Sequence, residues 1–575
     1  MPPSHIGHAL SRLALQRAEV PVSISNGTIK TGSQFLERIQ CLSVGLRVNL
    51  GLQCGDRVAI AALNSDRYLE WLIAVPCAGG IIAPLNYRWS SQEACEAVLQ
   101  VEPTLIVVDQ HCVELGLQIQ HRFPFLRMVT LGCSIKGALE ADSVLHDTQD
   151  FRLFWAPENI ALICFTSGTT GKPKGAAISH NAIVVQSLAK IAVVNYSASD
   201  VYLHTSPLCH IGGISSAHAI LLVGGCHVFL PKFHALDALN AIKNYEVTAM
   251  ITVPAMLKDL ISQLYTRGFE ETRIKSVQTI LNGAGSLSLD ILQRTARIFP
   301  MARILSAYGM TEACSSMSFI TLCDPASRKD EQVLGFNYAS GEPQPSHLGG
   351  FCVGRPAPHV EVIVSTNTHV NGVRGYLHEE GDVFVRGPNM MEMYWGEMRL
   401  AFDDNGWFPT GDVGWMDRNG QLWLLGRKKD VIKSGGENVH CNEVEEILSR
   451  HPAIAAVAVA GVPDVRLGEL VGAMVLLRDD WKWEHDIMHA DGPDTYFTEV
   501  DNQKVVSPHS MQLFCRHQGL SRYKIPKIWC QKLGAFVVTS TGKVRKDMVR
   551  KELAAHIKGI AIKLQHMVEP TLSKL

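Results

Sequence analysis

Hydrophobic and polar residues follow two different periods along this chain, and these predict strands and helices in turn. Short apolar runs rich in β-branched residues are typical of buried strands. The clearest runs are Arg57 to Ala62, Thr104 to Val108, Ala161 to Phe165, His227 to Leu230 and Met250 to Val253. Helical patterns lie between them, such as Asn181 to Ala192 and Ala235 to Tyr245. This alternation predicts a layered α/β fold.

Toward the C-terminus, shorter strands and a dense charge run predict a second, smaller domain. Strand patterns at Asp382 to Val385 and Gln421 to Leu425 precede Gly426-Arg427-Lys428-Lys429-Asp430. Beyond that run the periodicity predicts a helix and two strands, at Glu443 to Ser449, Ile454 to Val459 and Val471 to Leu477. We therefore expect an N-terminal domain over residues 1–426, a boundary at 427–430 and an α+β domain over 431–575.

Two segments show neither period. Arg328 to His347 is rich in Gly, Pro, Ser and charged residues, and it predicts a long surface excursion. Asp479 to His509 is polar, Asp-rich and aperiodic, and it predicts an insertion on the surface of the second domain.

Composition narrows the class of protein. The chain has 575 residues, too many for one ordinary core, and its 46% hydrophobic and 19% charged residues are typical of a folded globular protein. A formal net charge of -2 without a Lys/Arg stripe argues against nucleic acid, so a phosphate-bearing partner should be a small molecule. The 15 cysteines contain no CxxC pair, and no apolar stretch in the sequence reaches membrane-spanning length.

The strongest local signal is a glycine- and hydroxyl-rich loop after a predicted buried strand. It reads Thr166-Ser167-Gly168-Thr169-Thr170-Gly171-Lys172-Pro173-Lys174-Gly175. Its glycines let the backbone approach an anion, and its hydroxyls and lysines add donors and charge, as a phosphate-binding loop requires. It is not the Walker pattern, because Thr166 and Pro173 stand where that pattern needs Gly and Ser/Thr. A mobile surface turn is the alternative.

Four other segments combine similar chemistry. They are Asn282-Gly283-Ala284-Gly285, Tyr308-Gly309-Met310-Thr311-Glu312, Thr410-Gly411-Asp412 and Thr539-Ser540-Thr541-Gly542-Lys543. With them, the chain resembles the adenylate-forming superfamily over essentially its whole length. That superfamily includes acyl-CoA synthetases, adenylation domains of peptide synthetases and beetle luciferases. The resemblance implies a large adenylate-forming domain of layered α/β subdomains and a small, mobile C-terminal domain.

The resemblance implies an ATP site with Mg²⁺. The loop from Thr166 would hold the β- and γ-phosphates, and Tyr308, beside Gly309, would stack on adenine. Thr311 would touch the α-phosphate. Glu312 would hold Mg²⁺, which suits a hard carboxylate beside bridging phosphates.

The remaining ATP contacts would come from later segments. The segment from Asn282 to Gly285 would lie against the base, Asp412 would accept from both ribose hydroxyls, and Arg427 would reach the ribose or the phosphates. Lys543 would bridge the acid's oxygen and the α-phosphate, where negative charge develops. The family usually has Pro at the position of Val537, a departure that loosens the turn without removing the charge.

A second step with coenzyme A is implied as well. Ser434-Gly435-Gly436-Glu437-Asn438 would line the pantetheine tunnel, where Gly435 and Gly436 keep it wide. Lys429 occupies the hinge position about which the small domain would rotate. His210 would gate the passage between the acid pocket and the CoA tunnel, although a lone His is more often structural. The expected reaction is therefore formation of an acyl-adenylate from ATP, followed by transfer of the acyl group to CoA.

The segments expected to line the acid pocket are short and hydroxyl-rich. The candidate residues are Ser215, Ser216, Ser306, Cys314 and Ser315. They lack the apolar run that a long fatty chain needs, so they favour a compact acid with oxygens to bind. For a second carboxylate on such an acid, Lys232, Arg303 and Ser216 are candidates.

Three longer segments narrow the resemblance to the plant 2-succinylbenzoate–CoA ligases. They are Pro84 to Ser90, His204 to Leu208 and Ile304 to Ser316. This implies an aromatic keto-dicarboxylate as substrate and a place in phylloquinone (vitamin K1) synthesis. The alternatives are a peroxisomal 4-coumarate–CoA-ligase-like enzyme for a phenylpropanoid or oxylipin acid and, more remotely, a non-catalytic nucleotide-binding sensor.

The C-terminal tripeptide predicts a cellular location. Ser573-Lys574-Leu575 is the address read by the peroxisomal import receptor. The first seventeen residues carry Arg and Ser without an acid, which suits either a weak organelle-targeting segment or an amphipathic helix. We expect a peroxisomal protein, with the chloroplast as an alternative or second site.

Overall fold

The structure is a computed structural model that describes most of the chain. The described residues are 4–167, 173–265, 273–283, 285–327, 350–365, 379–397, 401–434, 437–484, 497–500, 503–539 and 543–557. The excursion predicted from Arg328 to His347 lies outside them.

The helices are spread along both parts of the chain. They are α1 (Leu10–Gln16), α2 (Gly32–Val48), α3 (Asp66–Cys77), α4 (Ser91–Val101), α5 (Val113–Arg122), α6 (His180–Val194), α7 (Ile211–Val223), α8 (Ala235–Tyr245), α9 (Pro254–Tyr265), α10 (Leu289–Ile298), α11 (Cys441–Ser449) and α12 (Pro508–His517). Residues 546–557 are also helical.

The strands before the charge run are β1 (Pro21–Ser25), β2 (Thr28–Thr31), β3 (Arg57–Ala61), β4 (Ile81–Pro84), β5 (Leu105–Asp109), β6 (Arg127–Leu131), β7 (Leu139–Glu140), β8 (Ile160–Ser167), β9 (Pro173–Ser179), β10 (Val201–His204), β11 (Cys226–Phe229), β12 (Ala249–Thr252), β13 (Thr279–Asn282), β14 (Arg303–Met310), β15 (Ser315–Cys323), β16 (Phe351–Pro356), β17 (Glu361–Ser365), β18 (Gly381–Arg386), β19 (Met393–Tyr394), β20 (Phe408–Met416) and β21 (Leu422–Arg427). Those after it are β22 (Val431–Ser434), β23 (Glu437–His440), β24 (Ile454–Asp464), β25 (Gly468–Leu477), β26 (Trp481–Trp483), β27 (Thr498–Val500), β28 (Gln503–Val506) and β29 (Ile528–Gln531).

The first sheet has 13 strands in the order β17-β18-β20-β21-β16-β15-β14-β13-β12-β10-β11-β1-β2. Its strands β1, β11, β10, β12, β13 and β14 run parallel, and antiparallel pairing begins where β15 joins β14. Parallel strands are covered on both faces, which explains why they appear in the sequence as continuous apolar runs.

The second sheet has eight strands in the order β19-β9-β8-β4-β3-β5-β6-β7. Helices α6 and α7 connect the two sheets. Helix α6 contacts β8 and β9 of the second sheet and β15 of the first, whereas α7 contacts β10, β11 and β15. The largest cluster of buried hydrophobic residues draws side chains from both sheets and from this helix pair. The α6–α7 pair is therefore an interior element of the fold.

The strand pairing changes at the charge run. Arg427 ends β21 in the first sheet, Lys428–Asp430 forms one turn of 3₁₀ helix, and β22 begins a separate five-stranded sheet. That sheet contains β23, β22, β25, β24 and β29, and α11 packs on β24. The predicted hinge therefore coincides with the passage from one sheet to another, and its mobility stays a prediction.

In its described part, the segment from Asp479 to His509 has regular secondary structure, so the predicted lack of periodicity is wrong. Its ends form a three-stranded sheet of β26, β28 and β27, and α12 begins inside it. Trp481 and Trp483 are both 8% exposed and alternate with exposed Lys482, so two side chains enter the core of the small domain. The many polar residues around the two tryptophans obscured this two-residue alternation in the sequence. Residues 485–496 lie outside the described part.

Among the described helices, none combines the length and apolar character needed to cross a bilayer.

Replacing Trp483 by Ala should destabilise the small domain by about 3–5 kcal/mol, because a buried aromatic side chain leaves a cavity. Hydrogen exchange in β24 and β25 measures the change. The control is Lys482→Ala, which removes only an exposed ion pair to Glu484 (3.0 Å) and should cost less than about 1 kcal/mol. Equal protection in the two variants would contradict the packing role of Trp483.

Candidate functional site

A buried carboxylate joins three strands of the first sheet. Tyr308 near the end of β14 donates to Asp412 Oδ2 on β20 at 2.5 Å, and Arg427 Nε on β21 pairs with Asp412 Oδ1 at 2.9 Å. Asp412 and Arg427 face each other in the β20–β21 register, and Arg427 also donates to the Thr410 carbonyl at 2.8 Å. Burial raises the pKa of Asp412, while Arg427 and the Tyr308 hydrogen bond oppose the rise. Asp412 thus contacts two other residues, Tyr308 and Arg427, that the sequence analysis expects to bind ATP.

Glu312 lies in the next part of the cleft. It is 9% exposed and accepts a hydrogen bond from the Tyr394 hydroxyl at 2.8 Å. Lys174 Nζ lies 4.8 Å from the centre of the Tyr394 ring and pairs with Glu397 at 2.8 Å. Within the described residues no three His, Cys, Asp or Glu side chains cluster as a metal cage. A metal at Glu312 would need oxygens from a ligand.

Lys543 of the small domain reaches the same cleft. Its side chain is exposed, yet desolvation by the surrounding protein lowers the pKa of its ammonium group, as does Arg427, while Asp412 and Glu312 raise it. The turn that carries Lys543 is closed by backbone bonds from Thr539 N to the Lys543 carbonyl (2.7 Å) and from Arg545 N to the Val537 carbonyl (2.9 Å). The Val537 carbonyl therefore accepts this backbone hydrogen bond although the Pro that is usual in the family is absent.

The backbone is tight immediately around Glu312. A Cβ on Gly309 would lie 1.7 Å from the Ser315 carbonyl oxygen, so only glycine fits there. Cys314 and Ser315 have φ of 51° and 109°, and the second value is strained for a residue with a side chain. The wall formed by Cys314 and Ser315 is therefore held in an unusual shape directly beside Glu312.

His210 is the N-terminal cap residue of α7 and is half-buried. Its Nε2 atom has no hydrogen-bond partner among the described residues. Burial lowers the pKa of His210 to about 4, and nearby Arg88 contributes to the shift. The imidazole is thus neutral at pH 7.

The predicted acid-pocket serines on α7 are fully buried and contact a residue that the sequence reasoning missed. Lys190 on α6 donates to Ser215 Oγ at 2.7 Å and to Ser216 Oγ at 2.9 Å. Ser306 lies half-buried on β14, paired with Asn282 on β13. The buried face of α6 repeats every three to four residues and includes Lys190. A lysine on the apolar face of a predicted helix is the signal that could have revealed it.

The glycine-rich loop is described only at its ends, where β8 pairs with β9. Thr166 faces Lys174 and Ser167 faces Pro173 in this hairpin.

The segment expected to lie against the base is described at three of its four residues. Gly283 N donates to the Thr252 carbonyl at 2.8 Å, and Gly285 accepts from Asn282 Nδ2 at 2.7 Å. Several predicted residues lie outside the described part: Gly168, Thr169, Thr170, Gly171, Lys172, Ala284, Gly435, Gly436, Ser573, Lys574 and Leu575.

The other predicted residues of the second step lie near the change of sheet. Lys429 is exposed in the 3₁₀ turn, and Lys428 pairs with Asp382 at 2.6 Å on the surface. Thr311 begins a 3₁₀ turn that also carries Glu312. Arg303, proposed for a second carboxylate, instead donates to the carbonyls of Val193 and Val194 at 3.1 and 2.6 Å.

Two sheets joined by a helix pair, with Tyr308 on β14, Asp412 on β20 and Arg427 on β21 grouped near a lysine of a small C-terminal domain, define an adenylate-forming fold. The chain belongs to the AMP-binding enzyme family, whose model matches residues 10–395; the model of the AMP-binding enzyme C-terminal domain matches residues 443–491. The predicted family is confirmed.

Individual relatives span nearly the whole chain. A 2-succinylbenzoate–CoA ligase of Arabidopsis thaliana, named chloroplastic/peroxisomal, is 43% identical over 577 residues, which is 96% of this chain and 97% of that protein. An indoleacetate–CoA ligase of Aromatoleum aromaticum is 30% identical, covering 91% of this chain and 95% of that protein.

Solved structures confirm the predicted fold. ATP-bound MatB of Rhodopseudomonas palustris superposes with a TM-score of 0.75 at 24% identity, covering 95% of this chain and 98% of that one. The o-succinylbenzoate CoA synthetase of Bacillus subtilis with its acyl-adenylate OSB-AMP gives 0.74 at 23% identity, with the same coverage.

Titration of His210 tests the buried setting of its imidazole ring. Histidine-labelled NMR spectra, assigned with a His210→Ala variant, should give a pKa of about 4, because burial and Arg88 disfavour the charged ring. The stability that this residue contributes is then present above about pH 6.5 and is lost as pH falls through 4. A measured pKa of about 6.5 or higher would contradict the buried setting.

Proposed function

We propose that this protein is an ATP-dependent acid–CoA ligase that converts 2-succinylbenzoate to 2-succinylbenzoyl-CoA in phylloquinone biosynthesis. The family and the relative at 43% identity support the class of ligase and the substrate. The observation that carries the mechanism is the convergence of Lys543, Asp412, Arg427 and Glu312 in one cleft.

In the first step a carboxylate oxygen of the acid attacks the α-phosphorus of ATP, and pyrophosphate leaves. Lys543 stabilises the charge that develops between the acid's oxygen and the α-phosphate, and Thr311 donates to that phosphate. Asp412, paired with Arg427, accepts from the ribose hydroxyls, and Tyr308 presents its ring to the adenine. The loop from Thr166 to Gly175 holds the leaving phosphates.

Glu312 fits a Mg²⁺ ion, because Mg²⁺ is commonly held by one or two carboxylates together with substrate phosphates and water. The ion would be held by Glu312 and the phosphates of ATP, and it supplies charge neutralisation along the polyphosphate. Tyr394 orients the carboxylate by its hydrogen bond to Oε1.

In the second step the thiol of CoA, losing its proton, attacks the acyl carbon, and AMP leaves. The small domain rotates about Lys429, which withdraws Lys543 and brings Gly435 and Gly436 to line the pantetheine tunnel. His210, neutral at pH 7, opens the passage between acid and thiol. A neutral ring is suited to this because it does not compete for the carboxylate.

The proposed cellular location of this protein rests on a relative and on the C-terminal tripeptide. The Arabidopsis relative is named chloroplastic/peroxisomal. Peroxisomal import through Ser573, Lys574 and Leu575 stays a prediction, as does a plastid site.

Thioester formation tests the proposal. Purified protein with MgATP and CoA should convert 2-succinylbenzoate at least about tenfold more efficiently than 4-coumarate or a medium-chain fatty acid, because a compact polar pocket discriminates by unpaired polar groups. Mass spectrometry of AMP and thioester measures this. Lys543→Ala should lose on the order of 100-fold or more in acyl-adenylate formation.

The control is Lys551→Ala, an exposed lysine of the same small domain, which should react at the wild-type rate. Preference for coumarate or the fatty acid would leave the ligase chemistry intact and reject the substrate. No turnover with any acid would favour the nucleotide-binding sensor.

A further inference from the structure

Lys190 is a lysine buried in the middle of the large domain. It lies on α6, has no exposed surface, and is among the largest fully buried side chains. Helices α6 and α7 pack together between the two sheets, and the Lys190 ammonium points across this contact to Ser215 and Ser216. No carboxylate pairs with it in the part of the chain that the structure describes.

This arrangement leaves a charge unbalanced. Two neutral hydroxyls accept two of the three ammonium N–H groups but supply no counter-charge. Burial lowers the pKa of Lys190 to about 7, which reflects how unfavourable the charged form is without a partner. A methionine would fill the same space without this penalty, so packing alone does not explain a lysine at this position.

Lys190 lies close to the segment that carries Glu312 and Cys314. The ammonium lies close enough to Cys314 to oppose the rise in the thiol's pKa to about 12 that burial causes. Cys314 follows Glu312 by two residues and belongs to the strained wall with Ser315. Ser215 and Ser216 lie on α7 shortly after His210. Lys190 therefore lies close to Cys314 and to the part of α7 that follows His210.

The other two basic residues considered for the second carboxylate have different partners. Arg303 is bound to two carbonyls at the end of α6, and Lys232 is an exposed residue that contacts His111 Nε2 at 2.9 Å and the Tyr87 ring. Neither contacts Ser215 or Ser216 in the described residues.

We propose that Lys190, with Ser215 and Ser216, binds the second carboxylate of the acid substrate and so selects dicarboxylates over monocarboxylates. This inference rests on the proposed function, since it assigns the non-reacting carboxylate of that substrate. An incoming carboxylate supplies the missing counter-charge and takes the third N–H, while the two serine hydroxyls, which can rotate, donate to it. A monocarboxylate leaves the ammonium unpaired and binds more weakly.

The test compares acids that differ only by one carboxylate. The substrates are 2-succinylbenzoate, 4-oxo-4-phenylbutanoate, which lacks the ring carboxylate, and 2-propanoylbenzoate, which lacks the aliphatic one. Whichever single-carboxylate analogue the wild type adenylates better serves as the reference. Lys190→Met keeps the side-chain volume and removes the charge.

In Lys190→Met, kcat/KM for 2-succinylbenzoate should fall on the order of 100-fold, mainly through KM, while the reference acid keeps its rate or improves. The ratio between the two acids is measured within one preparation, so it does not depend on the fraction of folded protein. Lys190→Gln should give an intermediate ratio. The matched control is Lys243→Met, at an exposed lysine of α8, which should keep the wild-type ratio.

Two results would overturn the inference and are distinct from a failure of the proposed function. A Lys190→Met enzyme with the wild-type preference for the dicarboxylate would reject Lys190 as the binding group. An equal fall for both acids would assign Lys190 to folding or chemistry instead. If the wild type converts other acids but not 2-succinylbenzoate, the proposed function is wrong, and with it this assignment of Lys190.

Discussion

One buried carboxylate constrains the nucleotide end of this protein. Asp412 is 6% exposed and stays paired because Arg427 lies opposite it in the β-ladder and Tyr308 reaches it from β14. The contact ties the parallel part of the first sheet to the antiparallel strands that lead into the small domain. Because β21 ends at Arg427, this contact lies where the chain leaves the first sheet for the small domain.

The ATP cleft and the α6–α7 interior place two ammonium groups in different electrostatic settings. Lys543 lies in the field of Asp412 and Glu312, which oppose the lowering of its pKa by desolvation and by Arg427. Among the described residues, Lys190 donates to the hydroxyls of Ser215 and Ser216 and pairs with no carboxylate, so we expect an arriving anion to support its charge. A dicarboxylate between them would have one carboxylate at each end. In the proposed adenylation step the acid is oriented by these two cations, one at each carboxylate.

Much of the fold could be predicted from local pattern. The predicted strand Arg57 to Ala62 is β3 with one residue fewer, and the helix Ala235 to Tyr245 is α8 as predicted. Contiguous motifs identified the family, but the contact between Tyr308 and Asp412 spans 104 residues and needs the sheet to bring them together. Trp481 and Trp483 were obscured by polar neighbours. Lys190 was missed because a single charged residue in an apolar helix does not disturb the helical period.

The most direct measurement of the central claim is acid-dependent exchange of labelled pyrophosphate into ATP without CoA, comparing wild type with Asp412→Asn. Asn keeps the shape of the side chain but removes the charge that faces Arg427 and the ribose. We expect exchange with 2-succinylbenzoate in the wild type and a loss on the order of 100-fold in Asp412→Asn, with an unchanged circular dichroism spectrum. Exchange at the wild-type rate in Asp412→Asn would contradict the claim that this carboxylate organises the site.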